Sequence, residues 1–157
     1  NQHPTLIERA DGSVLALLRP SGKHSRVLRS VSEDGGRTWS EAVVTDLPCP
    51  HAAIDAVKLA DGRVALAWNN NADARNPLTL AVSEDDGDTW AATRDVITGE
   101  GSFHYPAVTE GAAGQLHLTF TNNRRTIDHV EVGVEWVYGD GPDLRPWLDE
   151  TTLRGTA

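Results

Sequence analysis

Apolar and polar residues alternate along most of this chain in short runs, and glycine-containing turns separate the runs. The run Pro4-Thr5-Leu6-Ile7-Glu8-Arg9 ends at the turn Ala10-Asp11-Gly12, and the mostly apolar run from Val14 to Arg19 follows it. A third run from Arg26 to Val31 and an apolar run at Ala42-Val43-Val44 complete a group of four. Runs of this length, joined by Asp-Gly turns, predict β-strands in an antiparallel meander.

The same order of runs returns further along the chain. The turn Asp61-Gly62 lies fifty positions after Asp11-Gly12, and a third group starts at Tyr105-Pro106 and turns at Ala113-Gly114. Self-similarity at a fixed period of this length is the signature of a repeat architecture. We predict a repeat domain over residues 1–137, with units at about 4–47, 53–97 and 105–137, and a C-terminal extension at 138–157.

Helical periodicity is absent from these runs. No stretch of a dozen residues keeps apolar residues at i, i+3, i+4 and i+7 without Gly, Pro or strict alternation interrupting it. The pattern therefore predicts an all-β protein. Four-stranded antiparallel meanders are the blades of β-propellers, which typically have four to eight blades. Three units are about half of a six-bladed ring, so we expect the parent protein to contain the other half of the propeller, and the family resemblance described below implies that this is an N-terminal half.

One eight-residue frame, S-x-D-x-G-x-T-W, occurs twice. It begins at Ser32 and at Ser83, and its tryptophans are Trp39 and Trp90. The Asp side chain can accept backbone N–H groups of its own turn, and Gly can adopt a positive φ. The frame predicts a hairpin turn closed by an indole. Because the two tryptophans have the same place in the frame, we expect both to be buried between neighbouring units.

Composition narrows the classes of partner. With 39% hydrophobic and 24% charged residues, the 157-residue chain is typical of a soluble globular domain. A net charge of -9 argues against binding to nucleic acid or to an anionic membrane. Cys49 is the only cysteine, so neither a disulfide framework nor a zinc pattern is present. We predict no cofactor and no metal. The composition leaves open whether the protein is cytoplasmic or secreted.

Polar residues near the ends of inner strands line the central mouth of a propeller, where ligands bind. Arg19 ends an apolar run and precedes Pro20, and Arg75 lies in the polar segment 69–76. Two arginines that meet at one mouth would make a carboxylate site, because each planar guanidinium can bind both oxygens. Tyr105 begins the third unit and has a phenol that can face the same mouth. From the residues alone, two solvated arginines remain an alternative, and a core tyrosine is the ordinary role for a Tyr at a strand start.

The frame resembles the Asp box of the sialidase (BNR-repeat) propellers, and the order of segments is similar to the C-terminal half of bacterial sialidase-like proteins. The resemblance covers roughly residues 2–132 and implies that Asp34 and Asp85 are structural. It also implies that Arg19 and Arg75 belong to the arginine triad that holds the sialic-acid carboxylate, and that Tyr105 is the nucleophile. The segments that carry it are Pro4-Thr5-Leu6-Ile7, Ala10-Asp11-Gly12, Leu17-Leu18-Arg19, Arg29 to Gly36, Ile54-Asp55-Ala56-Val57 and Tyr105-Pro106-Ala107-Val108.

The chain departs from the family pattern at the partner of the tyrosine. The family has a carboxylate just before the first strand, where this chain has Gln2 and His3, and of these two only His3 can act as a base. The first triad arginine and the acid/base aspartate belong to the N-terminal half of the family. His3 and Asp55 are further substrate-binding candidates. Other polar residues near strand ends, which we expect to be structural, are His51, Arg124, Arg125 and His129.

The resemblance therefore implies part of a sialidase-like glycoside hydrolase that is exo-acting on sialic acid or a related acidic sugar in the complete protein, and we expect the 157 residues alone to be inactive. Two alternatives stay open: a non-catalytic glycan-binding propeller that kept the arginines, and a purely structural repeat module that binds no anion.

Overall fold

The computed structural model describes residues 2–90, 92–142 and 144. Within these residues the chain folds into three antiparallel sheets, one short α-helix and a 3-10 turn at Ala112–Gly114. This confirms the all-β prediction. The elements are β1 (Gln2–Glu8), β2 (Val14–Arg19), β3 (Arg26–Ser32), β4 (Val43–Pro48), β5 (Asp55–Lys58), β6 (Val64–Trp68), β7 (Leu78–Ser83), β8 (Ala92–Ile97), β9 (Phe103–Glu110), β10 (Gln115–Asn122), β11 (Thr126–Gly133) and α1 (Val134–Val137).

Each sheet is a meander in which consecutive strands pair. The first sheet has the order β1-β2-β3-β4 and the second has the order β5-β6-β7-β8, whereas the third contains β9, β10 and β11. The turns between the first two strands form as predicted. In the first sheet the Asp11 carboxylate accepts the Ser13 N–H at 2.8 Å, and Gly12 has a φ of 84°. Asp61 accepts the Arg63 N–H at 3.0 Å in the same way, so the repeated dipeptide gives a repeated turn.

The second sheet lies between the other two, and apolar side chains fill both of its interfaces. Ile7, Leu15 and Leu17 of the first sheet pack against Leu66 and other residues of the second. On the other side, residues of β7 and β8 share a core with the third sheet, in which two phenylalanine rings meet edge to face at 6.0 Å. Every residue of β7 is buried, because this strand is covered on both faces.

Both Asp boxes are closed by hydrogen bonds within the box. Asp34 accepts the backbone N–H of Thr38 at 2.8 Å and its hydroxyl at 2.6 Å, while Gly36 N–H donates to Ser32 Oγ at 2.8 Å. Asp85 makes the equivalent bonds with Thr89, at 2.7 and 2.6 Å. The carboxylates are committed to their own turns, in agreement with a structural role.

The two box tryptophans are not equivalent, and the prediction that both are buried was wrong. Trp90 is half-buried against the first sheet, in contact with the core that contains Ile7 and Leu15. Trp39 is 40% exposed. Each box projects toward the preceding sheet, and among the described residues no sheet precedes the first one. Trp39 therefore lacks the apolar surface that Trp90 covers.

A short helix stands where the third unit has no Asp box. Trp136 of α1 is 6% exposed and packs in the core shared by the second and third sheets. Arg94 of β8 stacks on its ring, with Cζ 4.1 Å from the ring centroid, and donates to the Trp136 carbonyl at 2.8 Å. Of the extension predicted at 138–157, only residues 138–142 and 144 belong to the described part of the chain, and the rest lies outside it.

Candidate functional site

Each sheet has two opposite edges that are formed by the ends of its strands. At one edge β1 begins and β2 ends, because Gln2 pairs with Arg19. At the other edge Val14 pairs with Ser32, the first residue of its box, and Val64 pairs with Ser83 in the same way. The Asp boxes therefore lie opposite the edge that carries Arg19. We call the Arg19 edge the site rim and define it by His3, Arg19, His51, Arg75 and Tyr105.

Tyr105 lies on the site rim at an irregularity in β9. The pairing of β9 with β10 shifts register between Thr119 and Thr121, and Tyr105 has a φ of 51°. The side chain is 55% exposed. A non-glycine residue with left-handed backbone is uncommon, and such residues concentrate at functional sites. The bulge turns the phenol outward, so the ordinary alternative of a buried core tyrosine does not apply.

His3 occupies the equivalent bulge of the first sheet. The pairing of β1 with β2 shifts between Gln2 and Pro4, and His3 has a φ of 49°. Like Tyr105, it precedes a proline. The rings of His3 and Tyr105 lie 6.3 Å apart between centroids. Two bulges in different sheets thus bring an exposed imidazole close to an exposed phenol.

Arg75 reaches Tyr105 from the loop between β6 and β7. Its guanidinium Cζ lies 5.9 Å from the centroid of the Tyr105 ring, which is within the range of a cation–π contact. Asn71 fixes the loop, since its side chain donates to the Asn76 carbonyl at 2.8 Å and accepts the N–H of Asp73 at 2.9 Å. The backbone carbonyl of Arg75 accepts the Phe103 N–H at 2.8 Å. These hydrogen bonds hold the loop in a defined conformation.

Arg19 approaches the same place from the first sheet. Burial raises the pKa of the Cys49 thiol, and a hydrogen bond to the Ala52 carbonyl and the positive charges of Arg19 and Arg75 act in the opposite direction. Arg19 and Arg75 are thus both near enough to Cys49 for their positive charges to act on its thiol. Cys49 itself is fully buried beneath the site rim, which agrees with an inert thiol.

Asp55 connects the three inner strands. Its Oδ1 accepts a hydrogen bond from Thr5 Oγ1 of β1 at 3.2 Å, and its Oδ2 accepts the Val108 N–H of β9 at 2.9 Å. The Thr5 hydroxyl also accepts the Ala56 N–H at 3.0 Å. Both carboxylate oxygens are thus used to hold β1, β5 and β9 together. This gives Asp55 a framework role beneath the site rim, and substrate contact by this residue stays a prediction.

Sequence analysis missed His104. This residue is 3% exposed, and its Nδ1 lies 2.6 Å from Arg75 Nη1. No local pattern marks it, because its partner is 29 positions away and belongs to another sheet. The backbone carbonyl of His51 is a second acceptor for Arg75, at 3.3 Å from Nη2.

The remaining polar residues near strand ends divide between two places. Arg124 follows β10, and its positive charge contributes to lowering the pKa of His104. His129 lies on the outward face of the third sheet, stacked on His117 at 5.3 Å between centroids.

Two cavities, of about 450 and 370 Å³, lie away from the site rim. The first has Arg29, Asp88 and Trp90 in its lining, and the second has Arg9 and Glu33.

Within the described ranges, no group of three or more His, Cys, Asp or Glu side chains is arranged to hold a metal ion. Over the same residues, no helix has the length and apolar character needed to cross a membrane.

Comparison with known proteins places the fold. The sequence model of the BNR repeat-like domain matches residues 1–118. No curated protein matches the sequence. Among solved structures, an intramolecular trans-sialidase from leech superposes with a TM-score of 0.76 at 19% identity, covering 88% of this chain and 24% of the leech chain. An intramolecular trans-sialidase from Ruminococcus gnavus gives a TM-score of 0.74 at 19% identity, with 88% and 34% covered.

The likeness extends to another group of enzymes. An α-L-arabinanase from Penicillium chrysogenum superposes with a TM-score of 0.60 at 20% identity, covering 83% of this chain and 45% of the arabinanase. At these identities the likeness concerns the fold, which is the β-propeller of the sialidase type. The chain spans between about a quarter and a half of the lengths of these proteins.

Proposed function

Since this chain belongs to the BNR repeat-like domain family, we propose that it is part of a sialidase-like glycoside hydrolase which, in its complete form, releases sialic acid or a related acidic sugar from the end of a glycan. The propeller half that is expected in the parent protein would supply the remaining groups. One observation carries the proposal: the Arg75 guanidinium lies 5.9 Å from the ring of the exposed Tyr105.

The arrangement suits an anionic sugar. Arg19 and Arg75 would bind the sugar carboxylate through charged, bidentate hydrogen bonds. Tyr105 Oη would attack the anomeric carbon, because a phenol avoids placing a second negative carboxylate beside an anionic substrate. A phenol is a weak nucleophile until a base removes its proton. His3 is the candidate base, with its ring 6.3 Å from the Tyr105 ring.

The reaction has two displacements. In the first, the bond from Tyr105 to the anomeric carbon forms while the glycosidic bond breaks, and the leaving oxygen takes a proton from an acid that the family places in its N-terminal half. In the second, water attacks the anomeric carbon of this aryl glycoside, the bond from the carbon to Tyr105 Oη breaks, and the phenol is regenerated. The sugar configuration at the anomeric carbon is therefore retained.

A fluorogenic sialoside tests the proposal. We expect the full-length parent protein to release the fluorophore, the Tyr105→Phe variant to lose most of this activity, and Arg75→Ala to raise KM strongly. The 157-residue chain alone should give no turnover. Turnover that survives Tyr105→Phe would refute the assignment of the nucleophile.

A second candidate function is a glycan-binding propeller without catalysis. It is favoured by His3 in the place of the family carboxylate, since the base would then be altered while the arginines are kept. In that case sialic acid binds to the parent protein and Arg75→Ala weakens binding, but no sialoside is hydrolysed at any pH.

A further inference from the structure

His104 is a neutral imidazole with a fixed tautomer. Its Nδ1 is 2.6 Å from Arg75 Nη1, and its Nε2 is 2.9 Å from Ser102 Oγ. A guanidinium donates hydrogen bonds and cannot accept them, so Nδ1 must present its lone pair. The ring proton therefore resides on Nε2, which donates to the Ser102 hydroxyl. Both ring nitrogens are occupied, and the ring is almost completely buried.

This imidazole fixes one side of Arg75. Nη1 donates to His104, and Nη2 donates to the His51 carbonyl at 3.3 Å. A guanidinium has five N–H donors. Within the described residues, the other three have no hydrogen-bond acceptor. Arg75 is thus held from one side and keeps donors available for a ligand, which is the state that pre-organised anion recognition requires.

The surroundings of His104 oppose its protonation. The pKa of His104 is lowered, first by burial and then by the positive charges of Arg75 and Arg124. Arg75 faces the ring from the β6–β7 loop and Arg124 from the β10–β11 turn, while Tyr105 and Ser102 are its neighbours on and before β9. None of these groups is acidic. A proton on Nδ1 would point at the guanidinium and remove its acceptor.

We propose that His104 is a positioning residue for Arg75, and that its neutral form is what allows the site rim to bind a carboxylate. This rests on the proposed function of the site rim. It has an unusual consequence, because protonation of a histidine near an anion site normally strengthens binding. Here protonation of His104 should weaken it.

Binding of N-acetylneuraminic acid to the parent protein, measured between pH 8 and 5, tests the proposal. A sugar carboxylate stays ionised over this range, so the protein determines any change. We expect Kd to rise as the pH falls toward 5, with the rise confined to the acid end of the range because the pKa of His104 is lowered. The same series is measured in His3→Gln, which removes the other imidazole beside Tyr105, so a pH dependence that persists in this variant is not caused by His3.

Two variants separate positioning from folding. In His104→Gln an amide oxygen can accept the Arg75 hydrogen bond and does not titrate, so binding should persist and lose its dependence on pH. In His104→Leu the acceptor is removed, so binding should be weak at every pH. An unchanged pH dependence in His104→Gln would overturn the proposal, as would wild-type-like binding by His104→Leu.

The ring nitrogens give a test that needs no ligand. In the ¹⁵N spectrum of the folded chain, His104 should show the Nε2–H tautomer, and the Arg75 side-chain signals should shift in His104→Leu. A Nδ1–H tautomer would refute the proposal by itself. If wild-type protein fails to bind the sugar at pH 8 while the tautomer is as expected, the proposed function fails and the Arg75–His104 arrangement stands.

Discussion

Gly87 and Leu15 meet across the interface of the first two sheets so closely that a Cβ atom on Gly87 would lie 2.7 Å from Leu15 Cδ2. Gly36 has the same place in the first Asp box and nearly the same backbone, with a φ of 88° against 86°. A Cβ atom on Gly36 would meet only the Trp39 ring, at 3.7 Å. The same motif position is therefore crowded in one copy and open in the other.

We expect Gly87→Ala to destabilise the protein more than Gly36→Ala. Both variants place a side chain at positive φ, which costs about 1 kcal/mol or somewhat more. Only Gly87→Ala also forces apart a packed interface, which adds about 1–3 kcal/mol. Urea denaturation of both variants measures the difference, and equal losses of unfolding free energy would show that the interface yields without cost.

Trp90 and Trp39 should differ in the same direction. Truncation of a buried tryptophan to alanine costs about 3–5 kcal/mol, so the half-buried Trp90 should cost about 2–3 kcal/mol. Trp39 is 40% exposed, and Trp39→Ala should cost no more than about 1 kcal/mol. Melting temperatures of the two variants decide the matter. A larger loss for Trp39→Ala would mean that another surface covers this side chain in solution.

The Asp boxes should make the fold sensitive to acid. The pKa values of Asp34 and Asp85 are lowered from 3.8 to about 2, mainly by the hydroxyl groups of Thr38 and Thr89. A carboxylate whose folded pKa is depressed stabilises the protein above its unfolded pKa, and this stability is lost as the pH falls through the folded value. Melting temperatures should therefore decline between about pH 4 and pH 2.

Thr89→Ala is the direct check of this mechanism. Removal of the hydroxyl should move the pKa of Asp85 back toward its usual value, which NMR titration of the carboxylate can follow. Thr38→Ala should act in the same way on Asp34. If neither titration moves, the hydroxyl groups do not cause the shift.

Asp55→Asn should loosen the inner strands. An amide has an NH2 group in place of one carboxylate oxygen, so it can keep the bond from the Val108 N–H only if that NH2 group faces Thr5 Oγ1, whose other acceptor is the Ala56 carbonyl at 3.2 Å. A buried donor without an acceptor costs about 1–3 kcal/mol, which we expect as loss of unfolding free energy. Asp46→Asn is the matched control, because the Asp46 side chain is fully exposed and its carboxylate comes no closer than 3.9 Å to its partner Arg26. That change should stay within about 0.5 kcal/mol of the wild type. Equal effects of the two substitutions would argue against the bridging role.

Local sequence was enough to specify the strands, the Asp-Gly turns and the Asp boxes, because these depend on interactions between residues a few positions apart that recur at a fixed period. Ser32, Asp34 and Thr38 close their turn whatever lies beside it. Sequence also indicated Arg19, Arg75 and Tyr105, since each stands at a strand end or in a loop at the same edge.

The packing of the sheets, in contrast, sets which of two identical positions is buried and how the site rim is held. Trp39 and Trp90 differ because burial depends on a neighbouring sheet, which a local motif does not encode. His104 and Arg75 meet across 29 positions, and Asp55 joins strands about fifty positions away on either side. Such contacts arise from the packing of sheets, and a periodic pattern specifies which face a residue occupies but not which side chain it will meet there.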